Sequence, residues 1–528
     1  MDNSSNYDAV IVGAGHNGLI AACYLAMGGL RVLILEKNDA AGGATRSSQI
    51  FSGVDAQVSV YSYLVSLLPK KILSDLGLDF EIQRRKIASY TPVGQNGSIK
   101  GLLISNSDET VTRNSFFALT GSDREYRRYV DLQAKLCLFA QKVWPTLLLP
   151  LRSKADLRQE FKTRDEVETW EYIVEKPLSE LIEESLLDDT VRGVVFTDAK
   201  IGVSTFPEDP SLLQNRTFIY HVIGQGSGEW SVPVGGMGRL VSGLTQKAQS
   251  LGVVIHTSAE VLRVEYGASG STVYFVKNEK EVSVTARFVL FNCAANIANR
   301  CLPGALAEDL VEGSVFKINM VLKKLPAMKD PWVSPAEAFS GTFHLYEGYE
   351  HMKTAQKNAQ AGIQMDNIPG EMYCHSLTDP SILSQDLQEK GYHTLTLFGL
   401  DVPYAWFSRD NATKREEVLR NFLASINHFI EGDLLDCLAT DTNGDLCIEA
   451  KSPLDLEASL GLPMGNIFHG NLSWPFAVKN ENVGAWGVET NYKNVLMCGS
   501  GALRGGAVSG IPGHNAAMKA LEGLKHMG

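Results

Sequence analysis

The sequence predicts an α/β protein whose central sheet draws strands from both ends of the chain, with a second, mixed α+β part inserted between them. Three observations lead there. A short β-branched run, Ala9-Val10-Ile11-Val12, enters the glycine turn Gly13-Ala14-Gly15-His16-Asn17-Gly18 and then an apolar helical stretch. A second buried-type run from Arg31 to Leu35 ends on an acid, Glu36. Near the other end, residues 494–497 lead into a glycine-rich block from Gly499 to Gly513, followed by a helical pattern over 515–524.

Composition narrows the class. The 528 residues are 44% hydrophobic and 20% charged, enough for a large core and incompatible with a disordered chain. A net charge of −12 argues against nucleic acid as the main partner. No run reaches the ~18–20 apolar residues that a spanning helix needs. Asp2 and Asp8, with no cation before Arg31, speak against a secretory leader, so an intracellular protein, soluble or peripheral to a membrane, is expected. The eight cysteines form no C-x-x-C pair, which excludes a thioredoxin-type couple and a zinc ribbon; no metal site is expected.

The elements follow in order. Strand, glycine turn, helix, strand and terminal acid make the order of a dinucleotide-binding unit. Gly13 allows the tight turn, Gly15 the approach of a pyrophosphate and Gly18 the close packing of the helix, with His16 and Asn17 at the helix start. Glu36, followed by Lys37, stands where a carboxylate accepts ribose hydroxyls. The pair Gly42-Gly43, with Ala44, offers further backbone amides to a long cofactor, and this Glu-then-Gly-Gly arrangement resembles the flavoproteins of the amine oxidase and phytoene desaturase type, which implies FAD in preference to a nicotinamide. The basic triplet Arg84-Arg85-Lys86 reads as a solvated face. A helix is expected over 122–145, and the proline-broken run from Trp144 to Leu151 reads as buried core in preference to a membrane-dipping or substrate-entry segment. Gly235-Gly236-Met237-Gly238 has the wrong spacing for a second fingerprint. Strands near 261–266, 273–276 and 288–292 return to the first domain, with the Val261 backbone near the adenine. In the last block Gly499, Ser500, Gly506, Ala507 and Val508 form a backbone surface for the flavin end. Non-covalent FAD is expected, because neither Cys498 nor His16 lies in an attachment motif.

Together with Phe316-Lys317-Ile318-Asn319, Asp379-Pro380-Ser381 and Gly465-Asn466-Ile467-Phe468-His469-Gly470, these motifs span nearly the whole chain. In that order they resemble the phytoene desaturase-related FAD-dependent oxidoreductases, in particular the branch called pyridine nucleotide-disulphide oxidoreductase domain-containing protein two. The resemblance implies a Rossmann-like FAD-binding domain of the amine oxidase/phytoene desaturase type, with an inserted substrate-binding domain. Its expected extent is 1–104, 229–301 and 485–528 for the first and 105–228 with 302–484 for the second. Related desaturases act on long apolar molecules and associate with membrane surfaces, so a peripheral membrane contact is one implied mode. Disulfide reduction is not implied, because no cysteine pair exists to carry it.

The expected activity is that of an FAD-dependent dehydrogenase or desaturase, oxidising a hydrophobic substrate by hydride transfer to flavin N5, with oxygen or a quinone as acceptor. The alternative is a flavin amine oxidase, for which Trp474, Trp486 and Tyr492 are aromatic candidates beside the flavin. A non-catalytic lipid-binding protein, as in the GDP-dissociation inhibitors, is disfavoured by the intact set from Gly13 to Gly43. No catalytic base is identified. His469, Arg504 and His514, in or beside glycine-rich segments, are the candidates, each with a structural role as the more frequent outcome.

Overall fold

A computed structural model describes residues 6–95, 97–306 and 310–525. The strand Asn6–Val12 is the centre of a first sheet. It pairs in parallel with Val32–Leu35 on one side and with Lys280–Phe291 on the other, and Val32–Leu35 carries Val254–His256. The free edge of Lys280–Phe291 is divided. Its first half pairs antiparallel with Ser271–Lys277, which continues to Val261–Glu265, and its last three residues take Val495–Met497 in parallel. Alternation explains the continuous apolar runs: Ala9 and Ile11 enter one core with the helices His16–Met27, Gly238–Ser250 and Ile511–Lys525, while Val10 and Val12 enter another on the opposite face.

The last helix starts at Ile511, ahead of the expected 515, with Pro512 and Gly513 in its first turn. Proline is tolerated there because the first N–H groups have no partner within the helix.

A second seven-stranded sheet runs in the order Ile448–Lys451, Phe316–Leu322, His393–Gly399, Gly370–Tyr373, Thr342–Leu345, Ile87–Gln95, Ser98–Ser105. The hairpin over 87–105, expected in the cofactor part, therefore belongs to this sheet: Ile87–Gln95 pairs in parallel with Thr342–Leu345. Its β pattern is clear in the sequence, but the partner it selects lies some 250 residues away.

The helices between 109 and 222 cover the cavity side of this sheet. Asp123–Val143 is capped by Ser122, whose hydroxyl accepts the Arg124 N–H, and packs Leu136 and Phe139 into a core with Trp170, Phe196 and Phe218. The run beyond it is largely core, with Leu147 and Leu151 buried and Leu149 half exposed. No helix among the described residues is long and apolar enough to cross a membrane.

Candidate active site

Two glycine loops meet at one asparagine. Asn292, directly after Lys280–Phe291, donates its amide to the carbonyls of Gly13 at 3.1 Å and Gly15 at 3.4 Å. A Cβ on Gly18 would stand 2.5 Å from the Gly13 oxygen, so only glycine lets the helix start this close to the turn. Gly42 N–H donates to the Ala14 carbonyl at 2.9 Å, which lays the Gly42-Gly43 loop along the same turn. Gly43 there takes φ +55 with Gly15 Cα beneath it. Glu36 is buried, its two oxygens accepting the N–H groups of Ala14 at 2.7 Å and Asn38 at 2.9 Å. Lys37 points outward to Glu260 at 3.2 Å, and Ala259 N–H donates to the Glu36 carbonyl, so Val261 begins its strand beside the acid.

His16 Nε2, Asn17 Oδ1 and Arg46 Nε are buried here without a protein partner. Buried polar atoms of this kind call for a polar ligand, and together with the cradle of small residues and the buried carboxylate they fit a dinucleotide. Asn292 and Arg46 were not apparent in the sequence, since neither belongs to a recognisable spacing.

Beyond the turn lies a cavity of about 520 Å³. Its cofactor side is bordered by His16, Ala44, Thr45, Ser500, Ala507 and Val508. Its floor is the second sheet. Lys317 pairs with Phe398, Phe398 with Glu371, and Glu371 with His344, so four neighbouring strands present one row of side chains to the cavity. The lysine end adjoins the cofactor loops: its Nζ lies 3.9 Å from the ring centre of Tyr63, and the preceding Ser62 hydroxyl donates to the Ala44 carbonyl at 2.8 Å. Lys317 Nζ is buried without a hydrogen-bond partner, and burial carries its pKa well below the ordinary lysine value. A lysine inside the apolar strand Phe316–Leu322 was the available sequence signal.

At the other end acids gather. Glu371 accepts the Thr197 hydroxyl at 3.2 Å and the Tyr373 hydroxyl; burial, then Glu347, pushes its pKa up to about 7. Burial, then Glu371 and Glu347, raises Asp198 to about 8. His344 Nδ1 lies 2.5 Å from Glu347 Oε2, and burial lowers this imidazole to about 4, so it is neutral. Arg85, expected on a solvated face, is buried instead: Nε donates to the Trp230 carbonyl at 3.2 Å and Nη1 to Thr342 Oγ1 at 3.0 Å. Arg84, its neighbour, is exposed and paired with Glu229 at 2.5 Å.

Of the three catalytic candidates only His469 borders the cavity, with φ +66 and an unpartnered Nδ1. Burial lowers it to about 4, as it does His16, whose Nδ1 lies 2.8 Å from Thr45 Oγ1. Arg504 does not border the cavity. Its positive φ turns the guanidinium into the helical insert, where Nη1 donates to the carbonyls of Thr146 at 3.1 Å and Leu149 at 2.6 Å and Nη2 to that of Trp486 at 2.8 Å. His514 lies within the last helix, edge-on to Tyr24 at 5.0 Å, with Nδ1 2.9 Å from Asn515 Oδ1. Trp474, Trp486 and Tyr492 are likewise away from the cavity, packed with Phe476, His514 and Tyr266. Aromatic pairs that do border it are Tyr63 with Tyr373, ring centres 4.6 Å apart, and His221 with Trp230 at 5.4 Å.

Residues 11–69 match the NAD(P)-binding Rossmann-like domain, and residues 113–328 match the flavin containing amine oxidoreductases. The chain is 41% identical to an uncharacterized protein of Mycobacterium tuberculosis over 98% of both chains. It is 27% identical to the mouse pyridine nucleotide-disulfide oxidoreductase domain-containing protein 2, over 99% of this chain and 94% of that one. The chain belongs to this flavin-dependent oxidoreductase family. The family assignment makes FAD the cofactor and the protein an FAD-dependent oxidoreductase. Solved structures share the fold: an oxidoreductase from Methanosarcina mazei, 14% identical with TM-score 0.56 over 97% of this chain and 99% of that one, and cyclohexylamine oxidase from Brevibacterium oxydans, 14% identical with TM-score 0.53 over 98% and 99%.

Proposed function

We propose that the protein is a dehydrogenase that removes a hydride from a C–H bond of a small molecule with a largely apolar skeleton. The observation that carries this reading is Lys317, a buried lysine with an unpartnered Nζ at the edge of a cavity whose other border is the pair of glycine loops. FAD, when bound, accepts the hydride. The protein contributes position and proton handling. Leu136, Val195, Phe218, Phe398 and Ile467 pack the skeleton and exclude water. Lys317, whose pKa burial lowers, holds or passes a proton at Nζ. Gly13, Gly15, Gly18, Glu36, Gly42 and Gly43 hold the cofactor at the first sheet, and Ser500, Gly506, Ala507 and Val508 bound its reactive end. No covalent link is proposed, since neither Cys498 nor His16 stands in an attachment motif. The electrons leave to oxygen or a quinone, since the chain carries one dinucleotide fingerprint.

A second reading, oxidation at a carbon next to nitrogen, is favoured by the Tyr63–Tyr373 pair on the cavity wall. Anaerobic mixing of the oxidised protein with isoprenoids, fatty acyl compounds and amines, followed by flavin absorbance, tests both. Bleaching by amines alone selects the second; bleaching by NADH or NADPH alone overturns the proposed acceptor and direction.

A further inference from the structure

We propose that the acidic end of the cavity floor, formed by Glu371 with Glu347 and Asp198 beside it, is a subsite for a cationic nitrogen carried by the substrate at a distance from the bond that is oxidised. The proposal rests on the dehydrogenase reading and names the substrate class: an apolar skeleton with an ammonium or guanidinium group.

Position comes first. Glu371 lies two strands from Lys317 in the same cross-strand row, and an inter-strand spacing of about 4.8 Å puts the two backbones roughly 10 Å apart. A ligand reaching from the cofactor loops along the sheet therefore ends at the acids. Gly193 brings in the third acid. A Cβ there would stand 1.8 Å from the Glu347 carbonyl oxygen, and this close approach seats the helix Asp189–Phe196 so that the turn Thr197–Ala199 presents Asp198 to the cavity.

Charge accounting comes second. One unpaired cation faces the three carboxyls. Arg85 donates only to neutral acceptors, the Trp230 carbonyl and the Thr342 hydroxyl, 5.8 Å from the Tyr373 ring, so its charge offsets one acid and leaves the others without a partner. Lys200 is paired with Asp401 at 2.8 Å and bonds the Thr205 carbonyl. His344, on Glu347, is neutral. Tyr373 and Thr197 are hydroxyl donors without charge. Glu347 is 1% exposed, and its Oε1 has no hydrogen-bond partner. A carboxylate oxygen of this residue and one of Glu371 lie within 4.8 Å of each other and of the His344 imidazole. Buried carboxyls are stable as anions only when paired, so this group holds protons until a cation arrives.

The same three residues could hold a metal ion. An ammonium is the better occupant because the apolar residues Phe398, Ile467 and Leu136 and the Tyr63 and Tyr373 rings line the same cavity and suit an organic cation. Tyr63 and Tyr373 add ring faces on the approach.

The test uses the purified flavoprotein, titrated with octylammonium, octanol and octanoate by calorimetry and by flavin difference spectra at pH 8. Octylammonium should bind at least tenfold more tightly than octanol, with octanoate weakest. Glu371→Gln and Asp198→Asn should each reduce that preference at least tenfold while retaining bound FAD; the second change lies on a different element, the turn Thr197–Ala199 outside the sheet, and guards against a folding defect in the first. Equal binding of octylammonium and octanol, absence of binding by all three, or a preference unchanged in both variants would overturn the subsite. So would Zn²⁺ or Mn²⁺ binding that Glu371→Gln abolishes without any ammonium preference. Selective binding with no bleaching by any compound of the wider panel would instead retain the subsite and remove the dehydrogenase reading.

Discussion

Lys317 and Glu371 flank Phe398 on one face of one sheet, each directly paired with it. Burial acts on the two in opposite directions, lowering the lysine and raising the glutamic acid, so both move toward their uncharged forms. Burial thus disfavours charge at both ends of the floor.

Replacing Lys317 with Met keeps the length and apolar stem of the side chain while removing Nζ. We expect FAD content and thermal stability near those of the wild type, and flavin reduction by a bleaching substrate slowed by about 10²–10⁴-fold, the usual scale for a general acid or base. Stopped-flow reduction measures it; an unchanged rate would leave Lys317 without a chemical role.

Glu36→Arg should cost the cofactor site about 1–3 kcal/mol, the scale of an unsatisfied buried group. The change strips acceptors from the N–H groups of Ala14 and Asn38 and sets a cation beside the turn. FAD retained after dialysis reports the effect, and acid precipitation of the wild type should release all of the colour into solution.

Arg504→Met should behave differently. Three carbonyls, of Thr146, Leu149 and Trp486, lose their donor, and each carbonyl left buried costs about 1–3 kcal/mol. The melting temperature should fall while the flavin reduction rate of the folded fraction stays the same. A rate loss without a stability loss would return Arg504 to the catalytic candidates.

The acids set a pH signature. Glu371 ordinarily titrates near 4.5 and here near 7, so the folded state holds a proton that the unfolded chain has released. Its stabilising contribution is complete below about 4.5 and disappears as pH rises through about 7, with a slope of about 1.4 kcal/mol per pH unit for one such group. Urea unfolding at stepped pH should show this decline in the wild type and a shallower one in Glu371→Gln.

Gly193→Ala tests how Asp198 is positioned. The added methyl cannot stand 1.8 Å from a carbonyl oxygen, so the helix must lift from Glu347. We expect a loss of about 1–3 kcal/mol, as for overpacking in a core, together with weakened octylammonium binding. A variant as stable as the wild type would show that the helix is free to shift.

The cofactor half of this picture was legible from sequence because its signals are local: a strand, a glycine turn and an acid lie within thirty residues, and the C-terminal strand announces its glycines. The substrate half was not. Lys317, Glu371 and His344 come together only through the registers of four strands drawn from residues 316–399, which no local pattern encodes. Arg85 was misread for the same reason, since its partners lie at Trp230 and Thr342. Arg504 and His514 were drawn in by their glycine-rich surroundings, yet the φ of +63 at Arg504 sends its side chain away from the cavity.

The divided edge of Lys280–Phe291 has a consequence for how the protein is made. Its last three residues wait for Val495–Met497, and the Gly499 block that follows is the second wall of the cofactor cleft. On a ribosome the glycine turn would emerge hundreds of residues before this strand, so the nascent chain must carry an open, apolar sheet edge through most of its synthesis. Flavin supply and chaperone capacity during translation would then govern the yield of holoprotein more than the affinity of the finished site.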